Sequence, residues 1–287
     1  MVTIIDSPDF MFQDNLEIDS KFRKVYLMFF GIFIGFLHKN THKKVFCKLM
    51  NMFFSNDGLI SFSEGVYYKK IWDNTMFGYP NKRIDRIILD NKKHFEKLYE
   101  TYCLSEVKLI ENDLIIDCGA NVGELYKSLQ LFNKDFQYKA FEPDPYSFEV
   151  LKTNLKDYNI ELYDYALSDS EETKNLYLNT EGADSSLIYF GKNNKTQVQT
   201  KTLDSFKFNK VKLLKLEAEG GEFEVLKGAK ETLKNIEYIA VDYGPERGVH
   251  KESTSVEIIN FLYENNFRLL KVSKYRQAGL FINTAIK

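Results

Sequence analysis

An acid and two glycines at close spacing, Asp117-Cys-Gly-Ala-Asn-Val-Gly123, carry the sharpest chemical signal in this chain. Gly119 and Gly123 allow a tight turn and a close backbone approach, and a helix starting there offers free N–H groups to a ligand. A second acid, Glu142 in Phe141-Glu142-Pro143, stands 19 residues beyond Gly123. That separation suits a carboxylate that binds the hydroxyls of a ribose from the end of the next strand. Together the two features predict nucleoside binding. A dinucleotide loop reads G-x-G-x-x-G, whereas this one reads D-x-G-x-x-x-G and opens on an acid that repels phosphates. An NAD-dependent oxidoreductase is therefore the weaker alternative, and a cationic ligand with an amino-acid tail the better one.

More acids fall where strands should end: Glu217 and Glu219 in one place, Asp242 in another. Neighbouring carboxylates either raise one another's pKa, which makes a base, or hold a hard cation. Glu217 and Asp242 are the candidate ligands if Mg²⁺ is used, although no third ligand is evident. His250, eight residues past Asp242, has the near-neutral pKa of a general base. A surface histidine among polar neighbours is the plain alternative. Arg247 can clamp a phosphate or carboxylate of an acceptor, or simply lie on the surface. Ser185 and Ser186 are expected to shape a substrate loop.

These residues need a frame, and the chain from about residue 105 supplies one by alternating apolar runs with amphipathic ones. Strands are expected at 114–116, 138–141, 160–163, 213–216 and 239–241. The helix after the first carries Leu125, Leu129 and Phe132 at i, i+4 and i+7. A second helix turns Phe148, Leu151 and Leu155 inward, and a third Val225, Leu226, Ala229 and Leu233. A fourth begins at Ser253, Thr254 or Ser255. Residues 267–272 and 280–285 close as an antiparallel hairpin. The result is an α/β three-layer sandwich, whose ligands sit beyond the carboxyl ends of the strands.

The motifs also occur in a familiar order. Asp117-Cys-Gly-Ala-Asn-Val-Gly-Glu124, Phe141-Glu-Pro-Asp144, Ala166-Leu-Ser-Asp169, Thr202-Leu-Asp204, Leu214-Lys-Leu-Glu-Ala-Glu-Gly-Gly-Glu222 and Val225-Leu-Lys-Gly-Ala229 resemble the FkbM-type S-adenosylmethionine-dependent methyltransferases over roughly residues 112 to 273. The resemblance implies a Rossmann-like class I methyltransferase fold and O-methylation, often of a sugar hydroxyl in a polysaccharide or secondary metabolite. By that resemblance Gly119, Ala120, Asn121 and Gly123 line the methionine part of S-adenosylmethionine, Asp117 meets its amino group, and Glu142 binds its ribose. Tyr165 and Ala166 face the adenine by the same resemblance. Glu219, Arg247 and Ser186 are, from their residue types and positions, the candidates to meet a carbohydrate-type acceptor such as a glycolipid or nucleotide sugar. Glu217 and Gly221 depart from the family pattern, in which Asp and Ala are the more usual residues.

Residues 1–105 form a separate, aromatic-rich and mainly helical region, with helices expected at 44–54 and 92–102. It carries no chemical motif and is left with a substrate, homo-oligomer or membrane-surface role. Its run from Val25 to Leu37 holds thirteen uncharged residues between basic flanks, short of the roughly 20 that span a bilayer. A buried helix is the first expectation, and a segment resting on an anionic membrane surface the second; a non-catalytic peripheral membrane protein is the corresponding alternative for the whole chain. Across the 287 residues, 39 Lys and Arg oppose 41 Asp and Glu. The near-balance gives no field for nucleic acid. Only six of the 39 basic residues are Arg. Three scattered cysteines fit a reducing cytoplasm, including the inner face of its membrane, and the start from Met1 to Ile18 carries acids and no basic region, with the first long apolar run only at Val25, which argues against a secretory leader.

Overall fold

The computed structural model describes residues 21–133, 135–179 and 184–286. The acidic stretch from Met1 to Ile18 lies outside them. The chain divides into two compact units, Met1–His94 and Phe95–Lys287; the boundary expected at residue 105 falls eleven residues later.

The first unit begins with helices α1 (Lys21–Asn40) and α2 (Lys43–Phe53). Three strands follow, β1 (Ile60–Ser63), β2 (Val66–Lys70) and β3 (Met76–Tyr79), in an antiparallel sheet ordered β1-β2-β3. The unit is mainly helical, as expected, but also carries this sheet: the alternation of Tyr67 and Lys69 inward with Val66 and Tyr68 less buried is a strand period, cut short by tight turns. Lys69 is fully buried, and its ammonium is satisfied by Asp57 at 2.9 Å and the Ile88 carbonyl at 2.6 Å. Along α1, Ile34 is buried while Phe30 and Phe33 meet Phe53 of α2 edge-on. Its other face leaves Val25, Phe29, Ile32 and Phe36 exposed. The expectation of a buried helix thus holds for one face only, and no helix among the described residues is long and apolar enough to cross a membrane.

Helix α3 (Asn91–Thr101) runs across the boundary into the second unit. There follow β4 (Asp113–Cys118), α4 (Glu124–Gln130), β5 (Phe136–Phe141), α5 (Pro145–Asn154), β6 (Glu161–Tyr163), β7 (Ala166–Leu167), β8 (Thr173–Tyr177), β9 (Lys195–Lys201) and β10 (Val211–Leu216). After them come α6 (Glu222–Lys227), β11 (Ile236–Asp242), β12 (Pro245–Arg247), β13 (Glu252–Ser253), α7 (Ser255–Glu264), β14 (Phe267–Val272) and β15 (Ala278–Asn283). Seven strands make the central sheet in the order β14-β15-β11-β10-β4-β5-β6. Only β15 runs against the others, which is the expected closing hairpin inserted beside β11.

Strands buried on both faces read as near-continuous apolar runs, and their alternate side chains feed two cores. Ile115, Ala140 and Leu213 face Leu125, Leu129, Leu151 and Leu155 on one side. Ile116, Leu214, Leu216 and Ile239 face Val225, Leu226, Leu262 and Phe267 on the other. Phe132 departs from expectation: α4 ends at Gln130, so this ring lies outside the helical period and is exposed, although it meets Tyr99 at 4.2 Å. The small sheet β7-β9-β8, inserted between β6 and β10, was not read from the sequence. The chain leaves β4 first toward β5 and β6, then crosses back to β10 and β11, so the sheet's switch point lies between β4 and β10. Open α/β sheets bind ligands at that point, outside the carboxyl ends.

Candidate active site

The loop leaving β4 is held open by backbone conformations that side chains rarely adopt: φ is 76° at Gly119, 48° at Asn121 and 91° at Gly123. A Cβ on Gly119 would stand 2.0 Å from the Glu217 carbonyl oxygen, so only glycine lets the ends of β4 and β10 come together. The N–H groups of Gly119 and Ala120 both donate to the Phe141 carbonyl at 3.0 Å, which binds the loop to the end of β5. Glu142 follows at once. Its carboxylate accepts from the Asn121 N–H at 2.7 Å and the Asp144 N–H at 2.8 Å. Burial pushes its pKa up to about 7, with the Asp144 charge adding to the rise and the two N–H groups and Lys215 opposing it.

Beneath this loop lies a buried charge cluster. Lys215 of β10 reaches Asp117 at 3.1 Å and Glu217 at 3.2 Å, and donates to the carbonyls of Gly119 at 2.8 Å and Cys118 at 3.2 Å. Burial works against its charge, but Asp117, Tyr102 and Glu217 outweigh burial and hold the pKa well above the ordinary lysine range. Asp117 is fully buried and also accepts the Tyr138 hydroxyl. The resemblance sets Asp117 against a cofactor's amino group; here its carboxylate also pairs with Lys215 and accepts from Tyr138 beneath the loop.

Arg276, in the turn between β14 and β15, closes the cluster. Its guanidinium binds Glu217 at 2.5 Å, is in contact with Asp242, and stands 3.7 Å from Glu246. Glu217 also accepts the Tyr102 hydroxyl at 2.5 Å. Burial alone would raise its pKa, but Arg276, Lys215 and Tyr102 overcome burial and hold the carboxyl well below the usual range. Glu217 is thus a fixed anion and a poor base. Asp242 accepts the Gly244 N–H at 2.8 Å. A cation between Glu217 and Asp242 was conceivable as Mg²⁺, but the arginine stands in that space, and no group of three or more His, Cys, Asp or Glu among the described residues is arranged to hold a metal.

The remaining candidates fall in four places. Arg247 is engaged within the fold, gripping Glu224 through two 2.8 Å bonds and donating to the Gly220 carbonyl at 2.5 Å. The Ser186 hydroxyl donates to the carbonyl of Glu219 at 2.7 Å, and that of Ser185 to Asp144 at 2.8 Å. Both serines bind the 184–188 segment to the loops at the sheet's carboxyl end. His250 lies exposed in the turn between β12 and β13. Tyr165 is half-buried beside Tyr163, with ring centroids 6.5 Å apart, and Ala166 is buried in β7.

Sequence reasoning missed Lys215, Tyr102, Arg276 and Glu246. Only Lys215 left a trace, as a charge inside Leu213-Leu-Lys-Leu216, a run otherwise fit for a buried strand. A lysine in the middle of such a strand must find partners, and the acids at 117 and 217 supply them.

The strand order, the glycine loop at the end of β4 and the acid at the end of β5 define a class I methyltransferase fold. The FkbM methyltransferase domain matches residues 117–269, more than half of the chain, and the protein belongs to that family. Among solved structures, the chain is similar to the methyltransferase FkbM of Methylobacillus flagellatus KT at 16% identity and a TM-score of 0.47, over 67% of this chain and 50% of that one. It therefore spans half the length of that relative. TYW2 of M. jannaschii in complex with AdoMet is similar at 11% identity and a TM-score of 0.40, over 78% of this chain and 90% of that one. A SAM-dependent methyltransferase of Aquifex aeolicus is similar at 15% identity and 0.37, over 67% and 98%. Comparison with curated proteins finds no match.

Proposed function

We propose that the protein is an S-adenosylmethionine-dependent O-methyltransferase that acts on a hydroxyl of a carbohydrate-type acceptor. The observation that carries the reading is Glu142, a nearly buried carboxylate seated on the cofactor-type loop by the Asn121 N–H. Ribose hydroxyls would donate to its oxygens, the backbone of Gly119 to Gly123 would border the methionine part, and Tyr165 with Ala166 would border the adenine. When bound, the cofactor supplies an activated methyl group on a sulfonium. The chain must hold an acceptor oxygen in line and take its proton. The acids Glu219, Glu246 and Asp184 at this end of the sheet disfavour a phosphorylated acceptor and favour a neutral, hydroxylated one. Titration of the protein with S-adenosylmethionine and with NAD tests the cofactor, and a mass gain of one methyl on a candidate glycan tests the reaction. Binding of NAD alone would overturn the reading.

A second reading concerns the first unit. The exposed apolar face of α1, flanked by His38, Lys39, Lys43 and Lys44, supports a contact with an anionic membrane surface, which would present the enzyme to a lipid-linked acceptor.

A further inference from the structure

We propose that Glu246 is the group that receives the acceptor's proton. The inference rests on the methyltransferase reading above and adds the residue that does the work.

The backbone singles Glu246 out first. In the β12–β13 pair, Pro245 faces Ser253 and Arg247 faces Glu252, so Glu246 is the extra residue of a β-bulge. Bulges beside active sites re-aim a side chain. This one turns the carboxylate of Glu246 toward the carboxyl end of β11, 3.7 Å from Arg276, and leaves it 30% exposed.

The other carboxylates of this region are already engaged. Glu217 is held by Tyr102, Lys215 and Arg276, and Asp242 by Arg276 and the Gly244 N–H. Glu222 accepts the N–H groups of Ala218 and Gly220, Glu224 is gripped by Arg247, and Glu219 is likewise engaged. Among the described residues Glu246 has only the longer ion pair, so a lone pair is left for an incoming hydroxyl. Charges face it from several elements: Arg276 from the β14–β15 turn, Glu217 and Lys215 from β10 and its end, Glu222 from α6, and Asp184 from the serine segment. Burial first, then the three acids, push its pKa up to about 8 against Lys215. A base that titrates near the working pH is the most effective one.

The step balances without another reactant. The acceptor's O–H bond breaks, its proton passes to a carboxylate oxygen of Glu246, and the freed electron pair forms the bond to the methyl carbon. The carbon–sulfur bond breaks with its pair left on sulfur, now a neutral thioether, and Glu246 later returns the proton to water.

The test follows the carboxyl of Glu246 by NMR in protein labelled with ¹³C at the glutamate side-chain carboxyl, with Glu246→Gln identifying the resonance. Glu246→Asp, which also removes it, serves should the first variant not fold. S-adenosylmethionine and S-adenosylhomocysteine share every binding group except the charged, methylated sulfur. If Glu246 faces the methyl, its midpoint falls by about one pH unit or more with the sulfonium compound and clearly less with the thioether. Equal midpoints with both, in protein shown by calorimetry to bind both, would overturn the assignment and leave the cofactor reading standing. Absence of any binding would overturn the cofactor reading itself, and this one with it.

Discussion

Lys215 and Asp117, on neighbouring parallel strands, form an ion pair of 3.1 Å in which the side chains are 4% and 0% exposed. The pair lies at the switch point of the sheet, and the lysine also donates to the carbonyls of Cys118 and Gly119. A buried cation here fixes the first turn of the cofactor-type loop rather than meeting a ligand. Lys215→Met should leave Asp117 and Glu217 buried with their compensation reduced, at a cost of about 3–5 kcal/mol. Chemical denaturation of the two proteins measures this. A loss under about 1 kcal/mol would show that the pair does not hold the loop.

Gly119 is constrained twice, by its φ of 76° and by the Glu217 carbonyl 2.0 Å from where a Cβ would lie. Gly119→Ala should cost at least about 2 kcal/mol from the left-handed backbone and the forced separation of β4 from β10. Thermal unfolding reads the cost, and cofactor affinity should fall in whatever fraction remains folded.

Glu142 gives a pH dependence with a definite sign. Its pKa stands near 7, and ribose hydroxyls donate to the ionised carboxylate, so binding favours loss of its proton. Affinity for S-adenosylmethionine should rise as pH increases from 6 to 8 and then level off, with proton uptake by the buffer near pH 7. Calorimetry in buffers of different ionisation enthalpy detects that proton. Glu142→Ala should lose the dependence and weaken binding roughly ten- to a hundred-fold, as expected for about 1.5–3 kcal/mol of charge-assisted bonding.

The Arg276 guanidinium between Glu217 and Asp242 predicts that Mg²⁺ binds neither acid in the intact protein. Calorimetric titration with Mg²⁺ should give no heat of binding, and cofactor affinity should be the same in chelator. Saturable binding of Mg²⁺ that Asp242→Asn abolishes would contradict this.

On α1, Phe29 and Phe36 are each 63% exposed. The double change of both to Asp should leave the melting curve intact, since neither ring is buried, and should abolish sedimentation with anionic vesicles. Sedimentation of the unaltered protein should weaken as salt rises, because the basic flanks are screened. Equal partition of both proteins into the supernatant at low salt would rule out the membrane role.

What could be read in the sequence follows from how local its cause is. The parallel strands were legible because burial on both faces writes a run such as Leu213-Leu214 directly into the chain. The glycine loop and Glu142 were legible because the turn after β4 and the length of one βα unit fix their spacing. Arg276 was not, since its partner Glu217 lies 59 residues away and the turn that carries it looks like any polar turn. Glu246 was hidden for a related reason: a bulge is a property of pairing between strands, and its partner strand is only two residues long. The sheet of the first unit escaped because strands of four or five residues offer too few alternations to stand out from aromatic-rich loops.

The position of Arg276 also sets an order of assembly. A ribosome makes β4, the glycine loop, β10 and β11 before it makes the β14–β15 turn, so Glu217 and Asp242 exist for a time without their shared cation. Lys215 already compensates Glu217 at that stage, but Asp242 is costly to bury while it lacks a cation. The end of β11 is then expected to stay hydrated until the hairpin docks and adds both its strand beside β11 and its charge. Any nascent or proteolytically shortened chain that stops before residue 276 would carry every motif of the family and still lack a finished site.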